Sequence, residues 1–197
     1  MYCKCCVEKI RQVGSHFTLA RKNYRAGVTL TELVITVAIV CILACIALPD
    51  MRALASRKAM ANQADQICGF LHQAREQAVR EGINWRVHFI PEEGYCFAFG
   101  DANGNRLHDA EERMLGPCRL SRGIRFGCSA PKGPNNTAVP GDGISFVDNR
   151  LCYSTSGACN SGTLYLCTND RSMGLRVLPS TGTILIYQYT NEWSLIR

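Results

Sequence analysis

Gly27-Val28-Thr29-Leu30-Thr31-Glu32-Leu33 opens a run, residues 33–48, that reads LVITVAIVCILACIAL. That run holds one polar residue, Thr36, and no charge. With residues 28–32 it has about the length of one membrane-spanning helix. Glu32 lies inside its outer end, where an unpaired carboxylate costs a few kcal/mol. A simple anchor has no use for that charge, so a partner is implied.

The charge balance follows from this division. The chain has 197 residues and a formal charge of +6. Residues 1–27 hold Lys4, Lys9, Arg11, Arg21, Lys22 and Arg25 against Glu8 alone. The rest of the chain is almost neutral. The basic leader predicts a cytoplasmic N-terminus by the positive-inside rule, and argues against a nucleic-acid-binding body. An ordinary secretory signal has its apolar segment before the cleavage site. Here the candidate site, between Gly27 and Val28, comes first, so cleavage leaves the helix on the mature protein. An uncleaved single-pass anchor is the plainer alternative.

These residues resemble the type IV prepilin signal: a basic leader, Gly27, a TLxEL-like opening and an apolar helix. Pro49 falls 22 residues along when Val28 is counted as the first, as in many pilins. The resemblance implies that an inner-membrane prepilin peptidase cuts after Gly27 and methylates the amine of Val28. It also implies that Glu32 pairs with the amine of a neighbouring subunit in a filament. A buried charge persists when it is paired. Placement among lipid headgroups is the alternative for Glu32. Val28 departs from the usual Phe or Met.

Beyond Pro49 the helical pattern resumes. Met60, Ala64, Ile67, Leu71, Ala74 and Ala78 recur at steps of four and three and make one apolar stripe. Gly82 is the expected stop. One helix over about residues 29–81 is predicted, roughly 80 Å at 1.5 Å per residue, kinked at Pro49. From Asn84 on, strand signals take over. Strands are expected at 85–90, 95–99, 123–126, 144–147, 164–167, 175–178 and 183–189, the last following a Pro179-Ser180-Thr181-Gly182 turn. Residues 129–143 read as an exposed loop. The predicted divisions are a leader (1–27), a membrane and filament-core helix (28–49), an amphipathic helix (50–82) and a β-rich periplasmic domain (83–197). The fold class is α+β, a long helix packed on antiparallel sheet.

The twelve cysteines divide by compartment. Cys3, Cys5 and Cys6 are in the leader. Cys41 and Cys45 lie four apart on the apolar helix, where Cys acts as a small hydrophobe. Cys68, Cys96, Cys118, Cys128, Cys152, Cys159 and Cys167 lie beyond the membrane. In an oxidising compartment that odd number predicts up to three disulfides and one free thiol, Cys68 being the odd one out because it sits on a helix. At least one bridge is expected among Cys152, Cys159 and Cys167. No CxxC pair lies beyond the membrane and no His is near the last three cysteines, which argues against zinc.

The segment from Ala64-Asp65-Gln66-Ile67 to Leu71-His72-Gln73-Ala74-Arg75-Glu76-Gln77-Ala78 resembles the helix of GspH/FimT-type pseudopilins and minor pilins. The strand Arg86-Val87-His88-Phe89 and the final hairpin resemble that family as well. The resemblance implies a filament subunit of low abundance, at the tip or in the initiation complex of a type IV pilus, with a type II secretion pseudopilus as the alternative. Its implied partners are other pilins, the peptidase and the inner-membrane assembly platform. The implied location is a single pass through a bacterial inner membrane, with the domain periplasmic. Some FimT-like pilins bind DNA through a Gly-Arg-x-Arg segment. Here the matching residues are Gly182-Thr183-Ile184-Leu185, so DNA is not expected. Arg119, Arg122 and Arg125 scatter over both faces of a strand.

Asp101, Asn103, Asn105, Asp109 and Glu112 have the spacing of an EF-hand calcium loop. Arg106 stands where such a loop wants Gly, which favours a hydrogen-bonded turn over Ca2+. No GxSxG, HExxH, GxGxxG or P-loop is present, and nothing points to an enzyme.

Overall fold

The computed structural model describes residues 27–197, and of residues 46–53 and 135 the backbone alone. The leader cysteines Cys3, Cys5 and Cys6 fall outside the described residues. The first element, α1, is helical over Leu30–Glu81, 52 residues. The chain divides into two compact units, Met1–Leu48 and Pro49–Arg197. The kink expected at Pro49 falls on that division.

In the second unit the stripe behaves as its spacing predicts. Met60, Ala64, Ile67, Leu71, Ala74 and Ala78 are all buried, with Cys68 and Phe70 beside them. The stop is also where expected. Gly82 takes a left-handed φ of 66° and its N–H bonds to the Ala78 carbonyl at 3.1 Å, a helix end that Gly adopts without a Cβ penalty.

Two antiparallel sheets receive the stripe. The first has the order β3 (Met114–Arg119), β2 (Tyr95–Asp101), β1 (Asn84–Ile90), β5 (Arg150–Tyr153). The second runs β4 (Arg125–Phe126), β6 (Gly162–Cys167), β7 (Ser172–Val177), β8 (Ile184–Tyr189), β9 (Trp193–Leu195). Along β1, Trp85, Val87 and Phe89 are buried and alternate with more exposed residues, as a strand with one face on the core must. They join Leu151 and Tyr153 from β5, and Leu164, Leu166, Leu175, Val177, Ile184 and Ile186 from the second sheet, in one core around the stripe.

Three strands were not anticipated. β3 contains Gly116 and Pro117, which argue against a central strand, and it is an edge strand. β5 and β9 are short. The expected strand at 144–147 is reduced to a single bridge, Ile144 to Leu164. The loop expected to be exposed at 129–143 is instead folded back on the second sheet. Ala130, Gly133 and Pro134 are buried, and the Trp193 indole N–H bonds to the Lys132 carbonyl at 2.7 Å. Its composition marked it as a loop, but Tyr165 and Trp193 on the outer face give it apolar surface to cover.

Candidate assembly site

The helix start is built by local chemistry. Thr29 precedes α1 and caps it: its hydroxyl accepts the Glu32 N–H at 3.3 Å and its carbonyl accepts the Leu33 N–H at 3.1 Å. Thr29-x-x-Glu32 is therefore the frame of a capping box. An acidic group in the first turn also suits the helix dipole. The Thr29-x-x-Glu32 spacing is a cap signal that the sequence itself carries. Glu32 is exposed, and no ion pair to it occurs among the described residues.

Around Glu32 the surface is apolar. Val28, Leu30, Leu33, Val34, Ile35, Val37, Ile39, Val40, Ile42 and Leu43 are each more than half exposed. Leaving one such side chain unburied forgoes about 1.5–3 kcal/mol. Over ten of them the total reaches or exceeds the roughly 5–15 kcal/mol by which a domain is stable. Such a surface needs an apolar environment. Among the described residues no helix is long and apolar enough to cross a membrane. The part of α1 before residue 46 spans about 24 Å at 1.5 Å per residue, against a hydrocarbon core of about 30 Å. In the sequence the apolar run continues to Leu48.

Gly27 is exposed, and a Cβ placed on it meets no heavy atom within 4 Å among the described residues. The fold therefore makes no steric demand for glycine there.

The loop 101–112 is closed by its own bonds. Asp101 has no side-chain exposure and pairs with Arg86, Nε to Oδ2 at 2.5 Å. Asn103 and Asn105 both donate to the Asp109 carboxylate, and Glu112 accepts from the N–H groups of Ala102 and Asp109. Arg106 takes φ 66°, and its N–H reaches Asp101 at 3.4 Å. The backbone thus makes the turn for which Gly was wanted, while the carboxylates are occupied by the chain's own donors. Among the described residues no group of three His, Cys, Asp or Glu is arranged to hold a metal.

The cysteine pairs separate on geometry. Cys96 lies directly opposite Cys118 in the β2–β3 ladder. Cys159 is opposite Tyr153, the residue after Cys152. Cys152 lies within electrostatic range of Arg86, Asp101 and Arg106, and Cys159 within range of Arg75 and of Cys152 itself. Cys167 is buried, close to Cys128 and to Gly127. Cys68 is buried on α1, and that burial pushes its thiol up.

The DNA-segment residues carry no cation. Gly182 makes the β7–β8 turn with φ 63° and packs against Arg75. Arg75 donates from Nε to the Gly157 carbonyl at 3.0 Å, pinning that end of the domain to α1. Arg119 lies over the Tyr95 ring, 4.9 Å from its centroid. Sequence reasoning missed Arg75 and the buried Gln63, which accepts the Ser121 N–H at 2.7 Å. Both are polar residues adjoining the apolar stripe, and that position was the available signal.

A capped helix with an unburied apolar start, leading into a stripe buried by two antiparallel sheets, defines a pilin-like filament subunit. The chain belongs to the family whose model is described as type II transport protein GspH, matched over residues 63–182. It is a GspH-type minor pilin or pseudopilin and acts as a structural subunit, not as an enzyme. Two solved structures of the minor pseudopilin EpsH from the type 2 secretion system of Vibrio cholerae are similar. One is 15% identical, covers 67% of this chain and 94% of its own, with a TM-score of 0.38. The other is 12% identical, covers 66% and 89%, with a TM-score of 0.36. No curated protein matches the chain at a significant level.

Proposed function

We propose that the chain is a minor pseudopilin that assembles through α1 into the filament of a type II secretion system. The prepilin peptidase first cuts after Gly27 and methylates Val28, and the domain stands in the periplasm of a bacterial inner membrane. Glu32 then pairs with the N-terminal amine of a neighbouring subunit. The observation that carries this is the exposed apolar start of α1 with one exposed carboxylate in its first turn, unpaired among the described residues. Membership of the GspH family favours secretion. The type IV pilus remains the second reading, because the same helix start serves both filaments.

Deletion of the gene separates them. Loss of an exported protein from the medium, with twitching motility intact, is expected. Normal export with lost motility would assign the chain to the pilus. Intact-mass measurement of the assembled subunit should show a chain beginning at Val28, and Gly27→Val should block the cut. Retention of residues 1–27 in filaments would overturn the processing step.

A further inference from the structure

β3 is held by few contacts. It is an edge strand, paired only to β2. None of its six residues is buried outright, and only Leu115 and Cys118 are half-buried. Its partner β2 is, by contrast, largely buried. An edge with so little apolar burial opens readily, and here it also carries one end of the acidic loop.

Cys96 and Cys118 are the only two described cysteines that face each other in a ladder. Residues directly opposite in an antiparallel pair have Cα atoms about 4.5–5.5 Å apart and side chains on the same face. A disulfide needs Cα atoms about 4.4–6.8 Å apart. The two side chains share one face of the ladder as direct cross-strand neighbours, and each thiol shifts the other's titration. Cys96 belongs to the buried core and Cys118 packs against it, half-exposed. Cys118 also lines a surface recess with Gln66, Gly69, Phe70, Gln73 and Arg119. A reagent can therefore reach one sulfur and not the other.

We propose that Cys96 and Cys118 are a disulfide-forming pair that staples edge strand β3 and the 102–113 loop to the sheet, with Cys118 the sulfur that reacts first. The oxidant is a protein or small-molecule disulfide. Cys118, as thiolate, attacks one sulfur of that disulfide and expels the other as thiolate. Cys96 then loses its proton and attacks the Cys118 sulfur, expelling the second thiolate. Two thiols become one disulfide, and two electrons and two protons leave with the oxidant, whose disulfide becomes two thiols. The neighbouring Cys96 thiol lowers the Cys118 pKa below the usual thiol value, which suits Cys118 to the attacking role near neutral pH. The supply of oxidant in the cell rests on the periplasmic location proposed above; the pairing does not.

The test uses the full chain in detergent, alkylated at harvest and mapped by mass spectrometry without reduction. A second sample is fully reduced and then exposed to oxidised glutathione. A Cys96–Cys118 linked peptide, two hydrogens lighter than its parts, is expected in both samples. Reductant should lower the Tm by about 5–10 °C, and by less in Cys118→Ser. In the native reduced chain, Cys118 should be alkylated well before Cys96. A link formed with glutathione but absent at harvest supports the pair and sinks the periplasmic location instead. Failure to form the link with oxidant present, or a link from Cys96 to another cysteine, overturns the proposal.

Discussion

His88 lies on the outer face of β1, its ring 5.4 Å from Phe97 and 5.7 Å from Phe99, centroid to centroid. Burial, then the nearby Arg150 and Arg86, lowers its pKa to about 4 from the usual 6.5. The folded protein thus keeps the imidazole neutral where the unfolded chain protonates it. Stability from this residue is whole above about pH 6.5 and is lost as pH falls toward 4. Thermal melts across that range should show a declining Tm, and His88→Gln should flatten the decline. An equal slope in the variant would show that other groups carry it. The sequence showed none of this. His88 reads there as one residue of an alternating strand, and its surroundings come from Arg150, more than sixty residues away, through the β1–β5 pairing.

At the scale of elements, legibility followed period and punctuation. The stripe from Met60 to Ala78 and the stop at Gly82 were readable because α1 obeys a 3.6-residue period and ends on a left-handed glycine. β1 and β2 were readable from alternation and the Pro91–Gly94 turn, closed by the Gly94 N–H on the Ile90 carbonyl at 3.0 Å. β3 was hidden because an edge strand tolerates Pro117 and needs no apolar alternation. The candidate assembly site was half legible. Glu32 stood out as a charge, while its place in the cap depended on reading Thr29 with it. The two roles separate by substitution. Thr29→Ala removes the cap, at about 1 kcal/mol, and leaves the carboxylate. Glu32→Gln keeps a residue suited to the box and removes the charge. Filament incorporation should be nearly normal for Thr29→Ala and strongly reduced for Glu32→Gln, measured by quantitative immunoblot of sheared filaments. Equal losses would make capping, not charge, the requirement.

At the scale of the whole molecule, the described core lies within Pro49–Arg197, from Met60 to Ile186. A chain truncated to residues 50–197 should therefore fold, remain monomeric in gel filtration and melt cooperatively within a few degrees of the full chain in detergent. Aggregation or a non-cooperative melt would mean that the first unit contributes to the core. The same domain carries its own optical ruler. Its two tryptophans occupy opposite conditions: Trp85 is fully buried at the start of β1, while Trp193 is half-exposed on the last strand, its indole tied to the Lys132 carbonyl. Iodide, which quenches only emission it can touch, should dim Trp193 and spare Trp85. As denaturant rises, a red shift from Trp193 that precedes any from Trp85 would time the release of the 129–143 strap from the second sheet, while the helix-packed core is still dark to the quencher.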